Sequence, residues 1–131
     1  MERIHDDLGG VRILVVEDNF LIAGELCQAL EDAGCTVIGP VPTLAKALEL
    51  CKEQPLDGAL LDINLHGENS FPVADLLQER HIPFLFMSGY GEPDMIPENL
   101  RGAPKLAKPF DVGDLTHIVA EEFLVRNRHH A

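Results

Sequence analysis

Short apolar runs alternate with amphipathic stretches along the chain. Val11-Arg12-Ile13-Leu14-Val15-Val16 is β-branched and almost continuously apolar, as a strand covered on both faces requires. It stops at Glu17-Asp18-Asn19. Phe20, Ala23, Leu26/Cys27, Leu30 and Ala33 then recur at helical spacing, and Gly34 supplies a stop. Thr36–Gly39 reads as a second strand. Thr43 is placed to cap a second helix with the stripe Leu44, Ala47, Leu48 and Cys51.

A third strand, Gly58-Ala59-Leu60-Leu61, again terminates at an acid, Asp62. The polar stretch Ile63–Asn69 reads as a loop. A helix opens near Ser70–Pro72 and carries Val73, Ala74, Leu76 and Leu77; proline suits a first helical turn, where its missing N–H has no intrahelical partner. Pro83-Phe84-Leu85-Phe86-Met87 is a fourth strand, ending at Ser88-Gly89. Lys105-Leu106-Ala107 is a fifth, ending at Lys108-Pro109. The last helix is expected from about Asp111 to Arg126, with Val112, Leu115, Ile118/Val119 and Phe123 inward.

Strands alternating with helices predict an α/β fold: a parallel sheet covered on both faces, in three layers. Right-handed crossovers leave few topologies, of which the flavodoxin-like order 2-1-3-4-5 is the expectation. Pro93 and Pro97 interrupt the rhythm between the fourth and fifth strands. Both cannot stand inside one regular helix, so at most a turn or two of helix is expected there, in a pliable segment. The expected organisation is an arm or cap over 1–10, one domain over 11–126 and a tail over 127–131.

Composition narrows the function. The 131 residues suit a single domain, and 46% are apolar, enough for a sizeable core. No apolar stretch has the length of a membrane span, and the start lacks a signal-like apolar region. A cytoplasmic location is the simplest expectation. With 22 acidic against 10 basic residues the net charge is −12, which disfavours nucleic-acid and anionic-membrane partners. Cys27, Cys35 and Cys51 fit no zinc spacing and read as reduced, largely buried thiols. The histidines, among them His66, His81, His117 and His129-His130, read as scattered solvent side chains.

The chain's unusual polar residues all stand at the ends of strands. In doubly wound sheets ligands bind beyond the carboxyl ends, near the reversal of winding. The expected order makes the first, third and fourth strands neighbours, so Glu17 and Asp18 would face Asp62 across one crevice. Carboxylates so close repel unless a cation or protons intervene, and hard oxygen donors suit Mg²⁺. A carboxylate beside Mg²⁺ can attack phosphorus, while a hydroxyl (Ser88) and an ammonium (Lys108) hold the phosphoryl oxygens.

Taken in order and at their spacing, four stretches resemble the receiver domain of two-component response regulators over about Val11–Arg126. They are Ile13-Leu14-Val15-Val16-Glu17-Asp18-Asn19, Leu60-Leu61-Asp62-Ile63-Asn64-Leu65, Met87-Ser88-Gly89-Tyr90 and Leu106-Ala107-Lys108-Pro109-Phe110. The resemblance implies that Asp62 is the phosphoacceptor. It implies Mg²⁺ held by Glu17, Asp18, Asp62 and the backbone carbonyl of Asn64, with Ser88 and Lys108 on the phosphoryl group and a cis peptide before Pro109. Phe84–Gly91 is similar to the FATGUY subgroup, in which the fourth helix is often poorly formed.

The implied function is that of a stand-alone response regulator. A sensor histidine kinase, of the HWE or a related class, or a phosphotransfer protein would supply the phosphoryl group, and a downstream protein target would sense it. Such a domain catalyses only its own phosphorylation and dephosphorylation and is not a conventional enzyme. The sequence departs from the family where an aromatic switch residue usually stands, three residues before the lysine; here that residue is Lys105. Output is therefore expected through the segment after Ser88. Tyr90 reads equally as loop cover or as an influence on phosphoryl lifetime.

Three other functions use comparable residues or the same fold. An aspartyl-phosphate phosphatase of the haloacid-dehalogenase kind needs Asp-x-Asp after its first strand, where this chain has Glu17-Asp18-Asn19. A flavodoxin-like cofactor carrier needs a phosphate loop rich in Ser, Thr and Gly there. A pseudo-receiver that binds partners unphosphorylated is compatible with the sequence, although the complete acidic site disfavours it.

Overall fold

The computed structural model describes residues 8–89 and 91–124. The expectations for Tyr90, for His129-His130 and for most of the two ends therefore lie outside the described residues.

Five parallel strands form the main sheet: β1 (Arg12–Val16), β2 (Thr36–Val41), β3 (Gly58–Asp62), β6 (Phe84–Ser88) and β7 (Lys105–Ala107). Their order is β2-β1-β3-β6-β7. Setting aside a two-stranded ribbon, β4 (Asn64–Leu65) with β5 (Glu68–Asn69), this is the expected 2-1-3-4-5. The helices are α1 (Phe20–Asp32), α2 (Leu44–Glu53), α3 (Phe71–Glu79) and α4 (Val112–Val119), the last continued by a π-helical turn, Ala120–Leu124.

The strands are apolar throughout because each face is covered. Leu14, Val16, Ala59, Leu61, Phe84 and Phe86 turn towards α2 and α3, where Ala47, Cys51, Val73 and Leu77 meet them. Ile13, Val15, Leu60, Leu85 and Met87 turn the other way, onto Leu26, Leu30, Leu115, Val119 and Phe123. Gly58 is required by this packing: a Cβ there would lie 2.4 Å from the ring of Phe123. Asn19 and Thr43 cap α1 and α2 with side-chain oxygens.

Two residues assigned to inward stripes are exposed instead. Phe20 is 88% and Val112 60% accessible. Each is the first residue of a helix that starts at the carboxyl end of the sheet. Leu21 is exposed beside Phe20. Conversely, Leu8, placed in the arm by the sequence, is fully buried, and its N–H donates to the Ala33 carbonyl at 3.1 Å. The packed core therefore extends to Leu8, ahead of the first strand.

Among the described residues between β6 and β7 there is no α-helix. Two 3₁₀ turns, Glu92–Met95 and Glu98–Leu100, take its place, as the two prolines require. Ile96 and Leu100 anchor them in the core. Lys108–Pro109 is cis as the resemblance implies, and Gly39–Pro40 is cis as well.

Candidate functional site

Register alone gathers the polar residues. Val16 pairs with Leu61, so the next residues, Glu17 and Asp62, leave adjacent strand ends side by side. Asp62 pairs with Met87, which places Ser88 one step beyond it. Ser88 pairs with Ala107, and Lys108 follows, its N–H donating to the Ser88 carbonyl at 2.8 Å. Glu17, Asp62 and Ser88 are all buried.

The Lys108 ammonium spans the crevice. Its Nζ lies 3.0 Å from Asp62 Oδ1, to which it donates, and 3.3 Å from Glu17 Oε1. Burial raises the Asp62 carboxyl to about 7, against the pull of the Lys108 hydrogen bond and with a further push from the Glu17 charge. Burial also works against the Lys108 charge, but the Asp62 hydrogen bond and the two carboxylates outweigh it and hold its pKa above the usual lysine value.

Asp18 is oriented from the ribbon side. The backbone N–H of His66 donates to its Oδ2 at 2.9 Å, and the imidazole Nδ1 lies 3.4 Å from the same oxygen. By sequence His66 is a solvent histidine, and its side chain is exposed; its part in holding Asp18 comes from the turn it occupies, with φ 51° at His66 followed by φ 89° at Gly67. The only sequence signal is the Gly-containing polar stretch after Asp62. Asn64 lies two residues beyond Asp62 on the ribbon, exposed, and its side-chain oxygen accepts from the Gly67 N–H.

Glu17, Asp18 and Asp62 can each offer a carboxylate oxygen such that all lie within 4.8 Å of one another. The donor set fits a hard divalent cation. So does the state of Glu17: its Oε1 is buried without a hydrogen-bond partner, the Lys108 contact being one of charge alone. By contrast the cysteines are poor nucleophiles. Burial raises all three thiols, Cys35 to about 11.

This crevice and fold coincide with a family match. Residues 13–120 match the response regulator receiver domain. The chain belongs to that family. Among curated relatives, the phyllosphere-induced regulator PhyR of Methylorubrum extorquens is 32% identical over 112 residues, 83% of this chain and 42% of its own length. The transcriptional regulatory protein PdtaR of Mycobacterium tuberculosis is 26% identical, over 79% of this chain and 52% of its own length. The receiver chain thus spans about half or less of either relative. The solution structure of SdrG from Sphingomonas melonis Fr1 is similar at TM-score 0.73 and 41% identity, covering 85% of this chain and 95% of that one. A response regulator receiver protein from Sinorhizobium medicae WSM419 gives TM-score 0.74 at 28% identity, covering 86% and 92%. Among the described residues no helix is long and apolar enough to cross a membrane.

Proposed function

We propose that this receiver accepts a phosphoryl group on Asp62 from a phosphohistidine of a sensor kinase or phosphotransfer protein, with Mg²⁺ at Glu17, Asp18, Asp62 and the Asn64 carbonyl. The observation that carries this reading is the buried Asp62 carboxylate, joined at 3.0 Å to Lys108 and within 4.8 Å of two further acids. A buried acid cluster with one ammonium is costly as pure structure, because the negative charges exceed what Lys108 neutralises.

An Asp62 carboxylate oxygen attacks phosphorus, the P–N bond to the donor imidazole breaks, and an acyl phosphate forms as the imidazole regains a proton. Lys108, already placed on Asp62, follows the charge onto the phosphoryl oxygens, and the Ser88 hydroxyl offers a further donor from the neighbouring strand. The divalent ion, when bound, neutralises charge on the acids and the incoming phosphoryl oxygens. His66 keeps Asp18 turned into the crevice. The chain catalyses only its own modification and hydrolysis, works in the cytoplasm, and signals by altering its affinity for a downstream protein. Membership of the HWE class by its kinase is an extension of the FATGUY resemblance.

Incubation with acetyl phosphate, with and without Mg²⁺, tests the reading by intact mass. Wild type is expected to gain one phosphoryl mass only with Mg²⁺, and Asp62→Asn none. Equal gain in both proteins refutes Asp62 as the acceptor. No gain in either, with partner binding intact, favours the unphosphorylated binding module instead.

A further inference from the structure

We infer that Glu92 is an internal stand-in for the phosphoryl group, an autoinhibitory contact that holds the loop after β6 in its resting arrangement. The inference rests on phosphorylation of Asp62. Its starting point is the direction of one amide. In a parallel strand, successive residues turn their backbone polar groups to opposite neighbours. The Pro83 carbonyl accepts from Ala59 of β3, whereas the Phe86 N–H donates to Pro104 and the Ser88 carbonyl accepts from Lys108, on the β7 side. Odd-numbered positions of β6 therefore face β3 and even-numbered ones face β7. Gly89 continues the alternation, so its N–H is directed to the β3 side, where Asp62 ends the strand.

That N–H donates to no strand carbonyl. Its acceptor is Oε1 of Glu92, at 2.7 Å and partly buried. The Glu92 N–H returns a bond to the Gly89 carbonyl at 3.2 Å, so two bonds tie Glu92 back to Gly89 where the turn Glu92–Met95 begins. That pair puts a carboxylate on the first amide after Ser88, at the lip that the register of β6 with β3 builds beside Asp62. A phosphoryl group on Asp62 would bring a charge of about −1.5 to −2 and three strong acceptor oxygens to that lip. It competes for the Gly89 N–H and repels the Glu92 carboxylate.

Displacement removes the side-chain bond that ties the first residue of the 3₁₀ turn to Gly89. The consequence runs along a defined path, because Arg101 Nε donates to the Ile96 carbonyl and Lys105 Nζ to those of Arg101 and Ala103. Lys105, standing where an aromatic switch residue was expected, thus secures the far end of the segment that Glu92 secures at the near end.

The test uses the full ¹⁵N-labelled chain with Mg²⁺ and beryllofluoride, an acyl-phosphate mimic, followed by NMR and amide exchange in wild type, Glu92→Ala, Glu92→Gln and Asp62→Asn. In wild type, beryllofluoride is expected to shift the Gly89 amide and speed exchange over 92–100. Glu92→Ala should show that faster exchange before any addition and bind the mimic roughly tenfold more tightly, the ratio equivalent to about 1.4 kcal/mol. Glu92→Gln keeps an acceptor without the charge and should fall between. Equal affinity in wild type and both Glu92 variants, with none in Asp62→Asn, overturns the latch and leaves the acceptor assignment standing. Undiminished binding by Asp62→Asn overturns the acceptor assignment itself.

Discussion

Replacing Asp62 by Asn should stabilise the metal-free protein at neutral and alkaline pH. The Asp62 carboxyl is raised by burial from 3.8 to about 7. Between those values the folded chain holds a proton that the unfolded chain has released, so stability falls as pH rises through that window. Above about pH 7 the whole cost is present. Each pKa unit corresponds to about 1.4 kcal/mol, so the gap sets a ceiling of about 4 kcal/mol. The value of about 7 already includes the pull of the Lys108 bond 3.0 Å away, and the effective dielectric of a crevice that opens to water takes the expected gain down to about half the ceiling, about 2 kcal/mol. For a chain of this size that is a rise of roughly 6–10 °C in Tm.

Circular-dichroism melts in EDTA at pH 8 and at pH 5 measure it. The variant should melt higher at pH 8, and the difference should shrink at pH 5, where the wild-type carboxyl is protonated in the fold. Saturating Mg²⁺ should then raise the wild-type Tm and leave Asp62→Asn nearly unmoved, since only binding to the folded state stabilises it. A variant that melts at or below wild type at pH 8 in EDTA, or a difference indifferent to pH, would refute the argument that ionised Asp62 is an electrostatic burden awaiting a cation.

Three further outcomes follow from the packing and the charges. Gly58→Ala should lower the urea midpoint by an amount worth about 1–3 kcal/mol, because the added methyl meets the buried Phe123 ring at 2.4 Å and the core has no slack to move it. Lys108→Ala should destabilise the metal-free protein at pH 8 by about 1–3 kcal/mol, leaving Glu17 and Asp62 facing each other without a cation, and should slow phosphoryl gain from acetyl phosphate in the mass assay. Phe20→Ser should change stability by no more than about 0.5 kcal/mol in chemical denaturation, since the ring is 88% exposed; a core phenylalanine would cost several times that.

The sheet was legible because its strands are buried on both faces, which writes them as unbroken apolar runs. The acids were legible for a related reason. A carboxylate directly after such a run, as in Leu61-Asp62 or Val16-Glu17, is conspicuous, and parallel register brings successive strand ends together. What stayed hidden depends on geometry that periodicity does not encode. The stripe through α1 includes Phe20 by its spacing, but spacing does not say where the neighbouring sheet ends. The ribbon Asn64–Asn69 has two residues to a strand and one apolar member, the buried Leu65, too short a run for any period to show. Leu8 is one apolar residue in a polar stretch, and only the Ala33 carbonyl and the cluster that includes Leu26 and Leu30 of α1 give it a place. The contacts of His66 with Asp18 and of Glu92 with Gly89 belong to tight turns, where one backbone angle decides which way a side chain points.

Lys105 shows how far a departure from the family pattern changes the physics. An aromatic ring can move between solvent and a gap in the sheet edge at modest cost, because it carries little polar surface. An ammonium cannot enter such a gap without partners for its charge. Here its partners are the carbonyls of Arg101 and Ala103, both at 2.9 Å, so it clamps the turn that precedes β7. With Ile96 and Leu100 buried and the turn at 101–103 clamped, the stretch nearest the acids is attached to β6 by the Gly89–Glu92 pair. Any rearrangement driven from Asp62 meets that pair first and Lys105 last, an order opposite to one in which a residue on the fifth strand of the sheet moves to follow the strand-four hydroxyl.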